Sequence, residues 1–369
     1  MSAAAMNDLA RNAVRGGAVL MAARLAVQVF TWAVTFVVAR RLAVSDYGVM
    51  AWALLVVHFA DQLAEAGVGR ALVQKKELGP TDRDQAFTLS LGLGALLYTA
   101  LFLASAPLAA SLQVPELVPL LRVMGLLLLI VPFRTVALAT LDREGRFSRQ
   151  ALIVVLKSLA QSALVLSLAS AGAGYWALAA GALLGNAAEA AATLHASRWV
   201  PSLAWPGKEA RALVAFGLWA SGGAMLWYVY SNADFAVVGS MLGKEALGAY
   251  SFAFMLMSIP VERLTASVNQ IAYPVFCRLQ HEPERLRSWH RRLTTLLGAI
   301  AVPVLAGMAL VADDAFPLVL GEKWNPAILP FQLLSLVGIL NVLVYTLSPL
   351  LNALGRPDLN FRYTFACAL

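Results

Sequence analysis

Ten apolar runs divide this chain, over residues 16–39, 47–69, 86–110, 117–141, 150–171, 175–196, 212–238, 246–266, 293–312 and 328–353, and an eleventh opens near Phe361. A helix crosses the hydrocarbon of a bilayer in about 20 residues. Every backbone N–H and C=O in that layer must be paired inside the protein, so runs of this length fold as helices. Composition agrees: 60% of the 369 residues are apolar and 13% charged, against about 25% charged in soluble domains. The mean hydropathy is +0.72. These features specify an all-α, polytopic membrane protein.

The first two runs form a hairpin, Arg24 to Arg70, that carries polar groups at helical spacing. Arg24, Gln28, Thr31 and Thr35 fall at i, i+4, i+7 and i+11, and so share one face. His58, Asp61, Gln62 and Glu65 fall at i, i+3, i+4 and i+7 and make a second stripe. A charge at the bilayer centre costs roughly 3 kcal/mol even on lenient scales, so both stripes are expected to face a bundle interior or a water-filled cavity.

Several function classes lose support at this point. Cys277 and Cys367 supply neither a disulfide framework nor a metal-ligand cluster, and His58, His195, His281 and His290 are scattered, so no metal centre is expected. Gly239-Ser-Met-Leu-Gly-Lys244 is one residue short of a phosphate-binding loop, and Gly92-Leu-Gly94 lacks the third glycine of a dinucleotide fingerprint. No nucleotide cofactor is therefore indicated. No nucleophile and base pair stands out, and the longest outer connection, Asp313 to Ala327, is short for a catalytic domain.

The net charge of +7 is a topology signal rather than a sign of nucleic-acid binding. With the N-terminus in the cytoplasm, twenty of the 28 Lys and Arg residues fall in cytoplasmic segments, while the opposite side holds four, Arg40, Arg41, Lys244 and Lys323. The positive-inside rule thus orients the chain, with the first run as an uncleaved span.

An internal repeat accompanies this topology. Val37-Val-Ala-Arg-Arg-Leu42, leading to Gly48, is echoed by Val237-Val-Gly-Ser-Met-Leu242, leading to Gly248. Pro115 and Pro119 match Pro326 and Pro330, and Gly145-Arg146 matches Gly355-Arg356. Six spans per unit leave the two copies parallel, an arrangement that places substrate between halves. The expected lobes are residues 1–200, with six spans, and residues 201–369, with spans seven to ten and the start of the eleventh. The second copy stops at Ala366-Cys-Ala-Leu369, inside the equivalent of the fifth span, so the repeat predicts a truncated second unit short of its partner by roughly forty residues.

Four stretches now carry a resemblance: Ala39-Arg-Arg-Leu-Ala-Val-Ser-Asp-Tyr-Gly48; Gly67-Val-Gly-Arg-Ala-Leu-Val-Gln74; Asn232-Ala-Asp-Phe-Ala-Val-Val-Gly239 through Leu247-Gly-Ala-Tyr250; and Tyr273-Pro-Val-Phe-Cys-Arg-Leu-Gln280 with Glu284-Arg-Leu286. In this order and spacing the chain resembles the polysaccharide transporter family of the multidrug/oligosaccharidyl-lipid/polysaccharide (MOP) flippase superfamily, which includes O-antigen and exopolysaccharide repeat-unit flippases. The resemblance implies a two-lobe helical bundle like that of the multidrug (MATE) relatives. It also implies an undecaprenyl-pyrophosphate-linked oligosaccharide as substrate, moved to the outer leaflet of the inner membrane by alternating access, with no enzymatic step. A polysaccharide polymerase and export machinery are the partners it suggests.

For that task the obstacle is the sugar and pyrophosphate, because bare hydrocarbon penalises every unpaired polar group. An arginine fork suits the phosphate oxygens, which makes Arg24 the first candidate contact, with Gln28 on the same face. The alternative is that Arg24 pairs with Asp61 or Glu65 and fixes packing. Arg134, after the helix-breaking Pro132, and Lys157 are further cavity candidates that could instead snorkel. Asp61, Glu65 and Glu189 are candidates for a coupling ion or proton, or for structural ion pairs. Tyr228 and Asp234 share a face with Trp227 and Ser231 that could hold sugar, or could lie solvated at the outer mouth. Leu279, Leu286, Trp289 and Leu293 among Arg285, Arg287, Arg291 and Arg292 predict a basic amphipathic helix on anionic membrane lipids. Gly181 with Gly185, and Gly239 with Gly243, have the spacing of close helix contacts. An ion-coupled exporter of small amphiphiles and a membrane polymerase or ligase of lipid-linked sugars are the alternative functions.

Overall fold

Where they are described, the apolar runs fold as helices. The computed structural model describes residues 27–65, 67–75, 79, 81–205, 207, 225, 227–356 and 358–359, and among the described residues there is no strand. In chain order the helices are α1 (residues 27–41), α2 (Val44–Glu65), α3 (Val68–Gln74), α4 (Asp82–Ser111), α5 (Leu117–Met124), α6 (Leu127–Arg143), α7 (Phe147–Ser170) and α8 (Tyr175–Ser197). They continue with α9 (Ala233–Leu279), α10 (Pro283–Leu310), α11 (Ala312–Val319), a short 3-10 helix (Glu322–Ala327), α12 (Ile328–Val344) and α13 (Leu347–Ala353).

Seven helices among the described residues, some formed by consecutive elements, are long and apolar enough to cross a membrane. They coincide with seven of the ten expected runs. The runs at 16–39 and 212–238 lie partly outside the described residues, and the run at 246–266 is contained in α9, which is not among the seven.

The chain divides into two compact units between Ala236 and Val237. In the first, α1 and α2 meet at a tight turn where Asp46 Oδ2 accepts the Ala43 N–H at 2.9 Å. Val38 and Leu42 are buried there with Val165, Ala169 and Ala177. A second cluster joins Val68, Leu72, Phe87, Val136 and Trp199. Helices α7 and α8 approach closely because Gly181 faces Val165, with no room for a side chain, and Gly185 faces Gln161, whose amide end would have to move aside for one. Gly181 and Gly185 therefore make the contact that their spacing predicts.

Gly243 behaves otherwise. An added Cβ would meet nothing within 4 Å, and its φ of 83° interrupts α9 at the position that matches the Ala43 turn in the repeat. Pro132 also departs from expectation, since α6 runs through it and the fourth span breaks instead at Gly125–Leu126, between α5 and α6. An interior proline deprives the carbonyl four residues earlier of its amide. Here that carbonyl belongs to Leu128, and the bare backbone of Gly94 in α4 packs directly against it.

The repeat is visible in hydrogen bonds. At the end of α6, Gly145 N–H bonds Asp142 O and Arg146 N–H bonds Leu141 O; at the end of α13, Gly355 N–H bonds Asn352 O and Arg356 N–H bonds Leu351 O. Both are Schellman caps, with φ of 65° at Gly145 and 68° at Gly355.

In the second unit Trp324 is fully buried against Phe252, with ring centroids 4.2 Å apart. The expected interfacial helix is corrected here. Residues 283–297 are the leading turns of α10, and Leu286 and Leu297 are buried with Phe276, Ala301 and Val342, while Leu279 and Leu293 pack on the same cluster. The apolar face of this segment is thus turned into the unit's own core; Trp289 alone of the four expected anchors is exposed, at 45%.

Candidate functional site

Four helices of the first unit each contribute to one polar cluster. Glu65 ends α2, where Gly67, with φ of 65°, turns the chain into α3. Arg134 comes from α6, Lys157 from α7, and Asn186 and Glu189 from one face of α8. Arg134 Nη2 lies 3.1 Å from Glu65 Oε1, and its Nη1 lies 3.6 Å from Glu189 Oε2. Lys157 Nζ sits 2.6 Å from the same Glu189 oxygen and 3.3 Å from Asn186 Oδ1, which also receives Arg134 Nη1 at 3.5 Å. The Asn186 amide is fixed in turn by donating to Ala182 O at 2.8 Å.

At a rise of 1.5 Å per residue, Arg134, Lys157 and Glu189 lie about 12–15 Å along their helices from Arg143, Phe147 and Ser197. At that distance along their helices the Arg134 and Lys157 side chains end on acids. Each side chain is 22% exposed and ends on a carboxylate inside the bundle. Glu189 is the more enclosed acid, at 15% exposure against 42% for Glu65.

Asp61, one turn before Glu65, interacts electrostatically with both Glu65 and Arg134. Its Oδ1 is buried and accepts no hydrogen bond among the described residues. With Asp61 counted, three carboxylates face two cations. A cavity of about 560 Å³ opens beside them, lined among others by Glu65, Gly69, Arg134, Thr135, Asp142 and Glu189. That is within the size range of small-molecule sites.

The structure thus unites Arg134, Lys157, Glu65 and Glu189, which the sequence offers as separate candidates, and sets Asp61 next to them. The partner of Glu65 is Arg134. Arg24 lies outside the described residues, and Gln28 is half-buried on α1. The Thr31 and Thr35 hydroxyls donate to Val27 O and Thr31 O within their own helix, each at 2.9 Å.

The aromatic face divides. The Tyr228 hydroxyl donates to Leu55 O at 3.0 Å and its ring tilts on Phe59, whereas Trp227 is 55% exposed and pairs with Tyr230. Asp234 is half-buried at the start of α9. Asn186 is the residue sequence reasoning missed. Its signal was the i, i+3 spacing to Glu189, the sole amide side chain in an otherwise alanine-rich stretch of α8.

Comparison with known proteins follows the same direction. A family described as "Polysaccharide biosynthesis protein" matches residues 37–329. The chain is 28% identical over 333 residues to the lipopolysaccharide biosynthesis protein WzxC of Escherichia coli K12, covering 89% of this chain and 67% of that protein. It spans about two thirds of the length of this and other curated relatives. Among solved structures, the lipid II flippase MurJ in an inward closed conformation superposes with a TM-score of 0.71 at 12% identity, covering 91% of this chain and 76% of that one. The inward-facing conformation of a multidrug resistance MATE family transporter of the MOP superfamily gives 0.65 at 17% identity, over 89% and 81%. At these identities the two structures establish the fold alone, an all-helical bundle like that of those two proteins.

Proposed function

We infer the function from the family, for the chain belongs to the polysaccharide biosynthesis protein family, and we propose that it is a flippase for lipid-linked polysaccharide precursors. The substrate class is a polyprenyl-pyrophosphate-linked oligosaccharide, as the names of the similar proteins and the chemistry of the cluster both suggest. The protein works in the cytoplasmic membrane with its N-terminus inside, supported by the distribution of Lys and Arg. Two lobes, residues 1–200 and 201–369, rock about the substrate in alternating access. A polymerase and export machinery take the product onward.

The observation that carries this reading is the pair of cations, Arg134 and Lys157, held side by side within the bundle next to a cavity. A guanidinium and an ammonium on one amide oxygen present the converging donors that a pyrophosphate requires. In the state described here Glu65 and Glu189 hold that place. Substrate phosphate displaces them, and a carboxylate released into apolar surroundings takes up a proton or a cation. Asp61, Glu65 and Glu189 are on this reading the coupling group, Arg24 and Gln28 extend the anion path along α1, and Tyr228 and Asp234 lie toward the sugar.

The test is the sidedness of lipid-linked repeat units in cells lacking the gene, complemented with the native protein or with Arg134→Ala. Accumulation on the cytoplasmic leaflet without the protein, with poor rescue by a normally expressed Arg134→Ala, supports the proposal. Units that reach the outer leaflet unaided would overturn it and favour a polymerase or ligase.

A further inference from the structure

The stretch that follows α8 is tied down from one side and apolar on the other. Trp199 Nε1 donates to Asp84 Oδ1 at 2.9 Å, the Ala204 N–H to Thr88 Oγ1 at 3.0 Å and the Gly207 N–H to Gln85 Oε1 at 3.4 Å. All three acceptors are on the first two turns of α4, a membrane-spanning helix. Thr88 lies six residues beyond Asp82, about 9 Å along the axis, whereas Asp84 and Gln85 are about 3–5 Å along it. The strap therefore climbs the flank of α4 to Ala204 and descends again by Gly207. Trp199 is buried, at 9% exposure, while Val200, Leu203 and Trp205 point away from the protein at 81%, 74% and 85%.

Arg198 and Arg83 stand at the foot of the strap, and Arg149 and Arg146, the latter also paired with Glu144 at 2.7 Å, both reach the Ala196 carbonyl just before it. Exposed apolar side chains beside the first two turns of the span, with four arginines against two acids, Asp84 and Glu144, at their base, match the layering of a bilayer edge. There, acyl chains give way to anionic headgroups, and tryptophan is favoured at the boundary. We propose that residues 199–205 are an interfacial anchor, with Val200, Leu203 and Trp205 seated in the acyl–headgroup boundary and the four arginines on anionic headgroups. The hydrogen bonds to α4 hold the strap in place, so insertion orders no additional chain, which keeps its entropic cost low.

The experiment places an environment-sensitive fluorophore on Leu203→Cys or Trp205→Cys, and on Glu284→Cys as an exposed reference, in the full chain with Cys277 and Cys367 replaced by serine. The protein is reconstituted in vesicles of neutral or part-anionic phospholipid. Blue-shifted emission at 203 and 205, with several-fold stronger quenching than at 284 by a nitroxide near the lipid carbonyls and weaker quenching by aqueous iodide, is the expected result. Iodide quenching equal to that at 284 would overturn the proposal by showing the strap in water. Protection from both quenchers would overturn it too, by showing a protein cover such as a second copy. Circular dichroism of each labelled variant checks that the helical bundle is retained.

Discussion

Lys157 Nζ lies 2.6 Å from Glu189 Oε2, and Arg134 shares that same oxygen at 3.6 Å. Two cations on one enclosed carboxylate make Glu189 the electrostatic centre of the first unit. Removing one partner of a buried pair leaves an uncompensated charge and costs about 3–5 kcal/mol, whereas exchanging both for apolar groups is often near neutral. Glu189→Ala should therefore destabilise the protein strongly, and Lys157→Met with Glu189→Leu should recover most of the loss. Thermal unfolding in detergent measures both; equal instability of the single and double variants would refute the pairing.

Glu65 is expected to act differently. Its carboxylate is 42% exposed beside the cavity, where an ion pair contributes only about 0–1 kcal/mol. Glu65→Gln should leave unfolding nearly unchanged while uncovering Arg134. Under the proposed function, this variant binds inorganic pyrophosphate several-fold more tightly than the native protein. Calorimetric titration decides it, and unchanged or weaker binding would count against Arg134 as the phosphate contact.

Two glycines distinguish two kinds of close contact. A methyl group at Gly181 strikes the Val165 side chain, and one at Gly94 strikes the Leu128 carbonyl. Overpacking of this sort costs about 1–3 kcal/mol. Gly181→Ala should be rescued by Val165→Ala, which removes the obstructing methyls. No side-chain substitution at position 128 should rescue Gly94→Ala, since the obstacle there is backbone. Melting temperatures of the four variants test the contrast.

The Tyr228 hydroxyl donates to Leu55 O at 3.0 Å. Tyr228→Phe keeps the ring against Phe59 and loses that bond, for an expected cost of about 0.5–1.5 kcal/mol. A chemical denaturation midpoint shifted to lower denaturant would confirm the tie, and an unchanged midpoint would show that the hydroxyl is not needed for it.

The spans were legible because length and hydropathy alone specify them, as 82–111 and 175–197 illustrate. Helical periodicity likewise put Asp61 and Glu65 on one face. It could not name what that face meets. Glu65 pairs with Arg134, a residue 69 positions away on another helix, and periodicity reports direction around a single axis without reporting neighbours. Pro132 was misleading for a related reason: its cost falls on the carbonyl of Leu128, and whether a helix breaks there depends on the neighbour facing that carbonyl. Gly94 supplies such a neighbour from α4. The apolar half of the 279–297 segment was legible as a pattern, but lipid and protein core present the same apolar surface to it.

Gly145 and Gly355 sit at φ of 65° and 68°, a region that costs an L-residue with a Cβ roughly 1–2 kcal/mol. Alanine at either position should lower stability by about that amount, and by similar amounts at both, since the two caps use the same pair of hydrogen bonds. Denaturant titration of the two single variants compares them.

Those caps also bear on how a chain like this came to be. Around them the two copies have drifted apart: Leu141-Asp-Arg-Glu-Gly145-Arg146 and Leu351-Asn-Ala-Leu-Gly355-Arg356 keep three residues of six. The glycine that persists is the one whose replacement the handedness of amino acids penalises, while the three residues before it differ between the copies at every position. Ancestry is thus recorded where chirality leaves the fewest alternatives, and a duplicated gene can be recognised by its turns after its helices have diverged.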